Sequence, residues 1–182
     1  MHVDTAMGLL LGARYVPSPN FDARPDNETI NALVIHAISM PPGEYGGSDI
    51  ERLFCNNLDF TCHPFYREIV GLTVSAHLLI RRNGEVIQFV PFHMRAWHAG
   101  VSMLEGRTRV NDFSIGIELE GSDHDSFEEV QYQTLSDVTR ALQLAYPQIS
   151  AQRIVGHAEI APDRKTDPGP HFDWARYRQA LV

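Results

Sequence analysis

Apolar positions along this chain fall into short blocks separated by turn formers. Residues 32–38 (Ala-Leu-Val-Ile-His-Ala-Ile) are a near-continuous apolar run, the pattern of a buried strand. Pro41-Pro42-Gly43 breaks it, and Ser48 is placed to cap a short helix through about Phe54 or Asn56. Residues 74–81 (Val-Ser-Ala-His-Leu-Leu-Ile-Arg) read as a second strand. Asn83-Gly84 is a strong hairpin signal, and residues 86–90 return as the third strand. Residues 114–119 (Ser-Ile-Gly-Ile-Glu-Leu) form a further strand. Ser126 and Glu129 have the spacing of a capping box, and Val130, Leu135, Val138, Leu142 and Tyr146 then recur on one helical face until Pro147. Ile154-Val155 reads as a short strand or sheet edge. A last helix is capped near Asp173, with Trp174, Tyr177 and Leu181 on one side. Residues 17–31 are rich in turn formers and are expected to wrap the surface. Strands with helices between and after them predict an α/β fold, a mixed central β-sheet flanked by helices.

Size and charge narrow the roles open to such a fold. At 182 residues the chain is expected to be one domain spanning 1–182, long enough to bury a full core. Fifteen Lys and Arg against 23 Asp and Glu give a net charge of −8 with no dense basic run, which argues against a nucleic-acid partner. No apolar stretch approaches the roughly 20 residues of a membrane span. The N-terminal segment has no basic region before its short apolar core, so a cytoplasmic protein with no membrane partner is expected. Cys55 and Cys62 are not a disulfide framework and read as buried or inert thiols.

Candidate chemistry lies in a few polar residues at the ends of apolar elements. His36 interrupts a buried strand just before a Pro/Gly loop, although position alone favours a core histidine with a satisfied hydrogen bond. His157 and Asp167 lie in a segment, 156–170, whose prolines predict an irregular loop. Two imidazoles and one carboxylate are the ligand set of a catalytic zinc site, while a charged surface loop is the alternative. Lys165, two residues before Asp167, would point to the same side of an extended loop and could stabilise an oxyanion there. Glu118 stands in an apolar strand, where a carboxylate is costly unless paired or functional. Its role would be that of general base. A strand with one polar face remains the alternative. Trp97-His98-Ala99-Gly100 would line a pocket or orient a ligand, or Trp97 would simply pack in the core.

Several longer segments carry a resemblance. They are Pro-Ser-Pro-Asn-Phe at 17–21, Leu-Val-Ile-His at 33–36, Pro-Pro-Gly-Glu at 41–44 and Val-Ser-Ala-His at 74–77. Arg-Ala-Trp-His-Ala-Gly-Val at 95–101, Asn-Asp-Phe-Ser-Ile-Gly-Ile-Glu-Leu-Glu-Gly at 111–121 and Ala-Pro-Asp-Arg-Lys-Thr-Asp-Pro-Gly-Pro at 161–170 complete the set. From about Pro17 to its end the chain resembles the AmpD-type N-acetyl-anhydromuramyl-L-alanine amidases. These fall in the zinc amidase group that also holds phage amidases and peptidoglycan recognition proteins. The resemblance implies that fold, one Zn²⁺ held by His36, His157 and Asp167, Glu118 as the catalytic carboxylate and Lys165 as the transition-state stabiliser. Arg109, His98 and Trp97 are the implied substrate contacts. The implied substrates are 1,6-anhydro-N-acetylmuramyl-peptides of cell-wall recycling, cleaved at the amide to L-alanine by a monomeric enzyme. An amidase of intact peptidoglycan and a non-catalytic muropeptide-binding module are the rival readings. The chain departs from the family pattern at Ala37, where Asn usually follows the strand histidine, and at Thr73, where an Arg is expected near the substrate peptide.

Overall fold

A computed structural model describes residues 1–182. The strands are β1 (His2–Asp4), β2 (Leu9–Leu11), β3 (Arg14–Tyr15), β4 (Phe21–Ala23), β5 (Ala32–Ile38), β6 (Leu78–Ile80), β7 (Val86–Gln88), β8 (Met94–Ala96), β9 (Met103–Leu104), β10 (Arg107–Thr108), β11 (Ser114–Glu120) and β12 (Ile154–Gly156). The helices are α1 (Asp49–Phe54), α2 (Pro64–Glu68), α3 (Glu129–Ala145), α4 (His157–Ile160) and α5 (Trp174–Ala180). Six strands make the main sheet in the order β12-β5-β11-β6-β7-β3. β12, β5, β11 and β6 run parallel, and β6 turns into β7 antiparallel. The sheet is therefore mixed, as the alternation of elements predicts.

Side-chain alternation assigns the two faces of the central strands. Leu33 and Ile35 of β5 and Ile115, Ile117 and Leu119 of β11 join one apolar cluster with Leu135, Val138 and Leu142 of α3 and Tyr177 of α5. The alternate positions face the other side. There Ala32, Val34, Val155 and Ile160 form a small cluster beside β12 and α4. Leu79, Ile87 and Phe89 pack on Ile50, Leu53 and Phe54 of α1 and Tyr66 of α2. β5 is buried from Ala32 to His36, with apolar clusters on both of its faces, which is why it reads as continuous apolar sequence. His36 and Glu118 lie on the second face and are direct register partners across the β5–β11 ladder.

Several elements differ from the sequence reading. β6 and β7 are shorter than expected: the antiparallel pairing covers only Leu78–Ile80 against Val86–Gln88. Residues 17–31 do not merely wrap the surface, because Phe21–Ala23 pairs with Met94–Ala96. The long helix begins two residues late. Phe127 is buried and its ring meets Phe172 at 5.6 Å, which keeps the chain extended past Ser126. Glu128 takes the N-cap, and its backbone N–H donates to Gln131 Oε1 at 3.0 Å. Val130 is 37% exposed and lies over the turn at Gly84, whose φ of +84° and lack of room for a Cβ both require glycine. The segment after Gly156 is not loop throughout, because His157–Ile160 form one helical turn before Pro162. No helix is long and apolar enough to cross a membrane.

Candidate metal centre and its cavity

His36, near the end of β5, and His157, immediately after the neighbouring β12, emerge side by side at one edge of the sheet. The loop after α4 returns Asp167 to them, with the Asp167 carbonyl accepting from the Ala158 N–H at 2.9 Å. Three donor atoms then form a closed triangle. His36 Nδ1 is 2.9 Å from His157 Nδ1, and both lie close to Asp167 Oδ2, at 3.2 and 3.1 Å. Donors bound about 2.0–2.1 Å from one tetrahedral ion would stand about 3.3 Å apart, so these spacings suit a small divalent cation. The two buried imidazoles and the carboxylate are the cluster that could hold one.

Hydrogen bonding outside the triangle supports that use. His157 Nε2 lies 3.2 Å from the carbonyl of Ala99. A carbonyl only accepts, so Nε2 carries the proton and Nδ1 keeps a lone pair toward the other two donors. His36 Nε2 lies 2.9 Å from His98 Nδ1. Burial, foremost, and the neighbouring charges of His157 and Lys165 lower the His36 pKa to about 4, against the pull of Asp167. His36 is therefore neutral at pH 7, the form that ligates a metal. Burial alone would push the Asp167 carboxyl up, but its contacts with His157 and His36 outweigh this and hold it well below the usual carboxylate range.

Glu118 faces the same space from β11. Its Oε2 atom is buried and has no hydrogen-bond partner. Burial first, and the charge of Asp167 second, push its carboxyl well above the ordinary value, while Lys165 pulls it down. All of these groups line a cavity of about 560 Å³. Its lining combines His36, Glu118, His157, Lys165 and Asp167 with apolar side chains including Met40, Phe65, Ile69 and Leu72.

The structure thus brings together His36, His157, Asp167, Glu118 and Lys165. Trp97 and His98 line the same cavity, but His98 also hydrogen-bonds His36. Arg109 stands apart: its side chain is 68% exposed, pairs with Asp112 at 2.9 Å and does not line the cavity. Ala37 and Thr73, the two departures from the family pattern, both do. Sequence reasoning missed Arg164. Its guanidinium donates to the carbonyls of Ala99 and Val101 at 2.7 and 2.8 Å, tying the loop of Lys165 and Asp167 to that of Trp97 and His98. Adjacency to Lys165 was its only signal in the sequence. Ser114 was also missed, although it shares an alternating face with Glu118.

A family model described as N-acetylmuramoyl-L-alanine amidase matches residues 26–170, which contain every one of these groups. The chain belongs to the N-acetylmuramoyl-L-alanine amidase family. It is 61% identical over 171 residues to the 1,6-anhydro-N-acetylmuramyl-L-alanine amidase AmpD of Escherichia coli K12, covering 94% of this chain and 93% of that one. The AmpD of Haemophilus influenzae is 50% identical over 178 residues, 98% of this chain and 97% of its own. A crystal structure of an AmpD derivative superposes with a TM-score of 0.96, 55% identity and complete coverage of both chains. A more distant amidase, AmiD of E. coli, was solved with the substrate anhydro-N-acetylmuramic acid-L-Ala-D-γ-Glu-L-Lys. It shares 32% identity at a TM-score of 0.62, over 87% of this chain and 61% of its own. The amidase fold is thus the mixed sheet with helices described above.

Proposed function

We propose that this amidase hydrolyses the amide bond between 1,6-anhydro-N-acetylmuramic acid and L-alanine in muropeptides released by cell-wall turnover, with Zn²⁺ held by His36, His157 and Asp167. The convergence of these three donors beside the unpartnered Glu118 carboxylate, in one cavity, is the observation that carries the reading. The full-length likeness to AmpD proteins supports the choice of substrate. Zinc would supply a Lewis acid that acidifies water near neutral pH and polarises the scissile carbonyl.

The chain's own groups do the rest. Glu118 takes the proton of the attacking water at its carboxylate. Burial raises its carboxyl above the ordinary value, which makes the carboxylate a stronger proton acceptor. Lys165, on the lining of the same cavity, supplies an ammonium to stabilise the negative charge that develops on the carbonyl oxygen. As the carbon–nitrogen bond breaks, Glu118 returns the proton to the leaving alanine amine. Apolar side chains and Trp97 on the same lining are available to contact the substrate. Ala37 and Thr73, where the family pattern has Asn and Arg, lie on the lining and remove those two side chains from peptide recognition.

The test is a mass-spectrometric hydrolysis assay on anhydromuramyl-tripeptide and on its non-anhydro counterpart, with chelator and with zinc restored. Cleavage of the anhydro substrate that stops with chelator and returns with zinc is expected. Preference for the non-anhydro compound would shift the function to intact wall. Binding of either compound without cleavage by zinc-loaded protein would leave only a recognition module.

A further inference from the structure

β11 presents Ser114, Gly116 and Glu118 on one face, and only Glu118 has a part in the reaction above. The other two close around His98. A Cβ at Gly116 would lie 2.4 Å from a ring carbon of His98, so the imidazole rests directly on bare backbone. The ring reaches both ways from there. Its Nδ1 is 2.9 Å from His36 Nε2, and its Nε2 is 3.2 Å from Ser114 Oγ. Ser114 is fully buried, and its hydroxyl lies 2.7 Å from the Val110 carbonyl.

These contacts have one consistent set of directions. The Val110 carbonyl only accepts, so it takes the Ser114 hydroxyl proton. The Ser114 oxygen then has lone pairs alone to offer His98, whose Nε2 must carry the proton and donate it. His98 Nδ1 is left to accept, and it accepts from His36 Nε2. His36 Nδ1 is thereby stripped of a proton and faces His157 and Asp167 as a donor of electrons.

We propose that Val110, Ser114 and His98 form a proton-directing relay that holds His36 in its Nδ1-ligating tautomer. His98 and Ser114 are then positioning residues acting through His36. This rests on the reading of His36 as a zinc ligand. It extends to the first imidazole what the Ala99 carbonyl does for the second, so adjacent residues 98 and 99 set the tautomers of both.

Zinc affinity, measured by chelator competition, separates this role from mere packing. Partners that orient a metal-bound imidazole are typically worth about 10–100-fold in metal affinity. His98→Leu is expected to weaken zinc binding by an amount in that range and Ser114→Ala by one at its lower end. His98→Gln offers an acceptor and a donor on one side chain and is expected to recover most of the loss. Nitrogen-15 spectra of the zinc-loaded parent protein should show His36 and His98 each protonated at Nε2. Parent-like zinc affinity in both folded His98→Leu and Ser114→Ala would overturn the relay, and so would a proton on His98 Nδ1. If His98→Leu does not fold, Ser114→Ala and the parent spectrum still decide. No substrate enters these measurements. A protein with the expected tautomers that fails to cleave anhydromuropeptides refutes the proposed function alone, and an active enzyme with the wrong tautomer refutes the relay alone.

Discussion

Glu118 is held in a strand whose neighbours on either side, Ile117 and Leu119, are buried apolar residues. Its carboxyl is raised well above the ordinary range by burial and by Asp167. A group raised in this way contributes stability that is fully present below its unfolded pKa and is lost as pH rises through the folded one. In protein stripped of metal, Glu118→Gln is therefore expected to raise Tm at pH 7, by roughly 2–4 °C per kcal/mol recovered. The gain should vanish near pH 4, where the unfolded carboxyl also binds its proton. Thermal scans at the two pH values check the sign, and a lower Tm at pH 7 would refute it. The same substitution should cut turnover by about 100-fold or more while zinc content stays unchanged. At this scale the sequence was informative where chemistry conflicts with environment, as with Glu118 in its apolar strand and His36 in its own. It was silent where a role depends on a distant partner. Nothing local marks His98 as a support for His36, and nothing marks Arg109 as turned away toward Asp112.

Elements were legible in their existence and less so in their limits. β5 and β11 stand close to where the sequence puts them, because β5 is a near-continuous apolar run and β11 alternates Ile115, Ile117 and Leu119 with Ser114, Gly116 and Glu118. The start of α3 and the turn of α4 escaped, the first for a physical reason. Phe127 is held by aromatic packing from another part of the chain, and Gln131 reaches across to the carbonyls of Ile80 and Glu120 at 3.3 and 3.0 Å. Such long-range bonds move a helix start by two residues without changing the local pattern. Gly116 is a constraint of this kind, since a Cβ there would meet the ring of His98, eighteen residues away. Gly116→Ala is expected to destabilise the fold by about 1–3 kcal/mol through overpacking. It should also weaken zinc binding, because the displaced ring is the one that supports His36. Urea titration and chelator competition measure the two effects, and an unperturbed zinc affinity would show that the ring has other room.

At the scale of the whole molecule, one partly buried cation ties separate segments together. Arg24 follows the short strand β4, and burial lowers its pKa to about 10. Its guanidinium donates to the carbonyls of Phe92, Asn111, Asp112 and Ser114 and finds no carboxylate. These bonds join the approach to β8, the turn before β11, and β11 itself. Arg24→Met would orphan several buried carbonyls at about 1–3 kcal/mol each, so a loss of roughly 3 kcal/mol or more is expected in urea unfolding. A near-neutral result would mean that water replaces the guanidinium. The sequence showed Arg24 only as one residue in a turn-rich segment, because its four acceptors come from places that meet only once the sheet is built.

The ladder that sets His36 opposite Glu118 has a consequence for how the protein breathes. Those two residues sit on central strands, whose backbone bonds open only when the whole fold opens. His157, Lys165 and Asp167 sit beyond the edge strand β12, on one helical turn and a loop. A bound ion would therefore staple a peripheral segment to a rigid frame. Chelation should speed hydrogen exchange across residues 157–170 while the amides of 32–38 and 114–120 stay protected. Uniform acceleration in both regions would mean that the ion holds the sheet itself together.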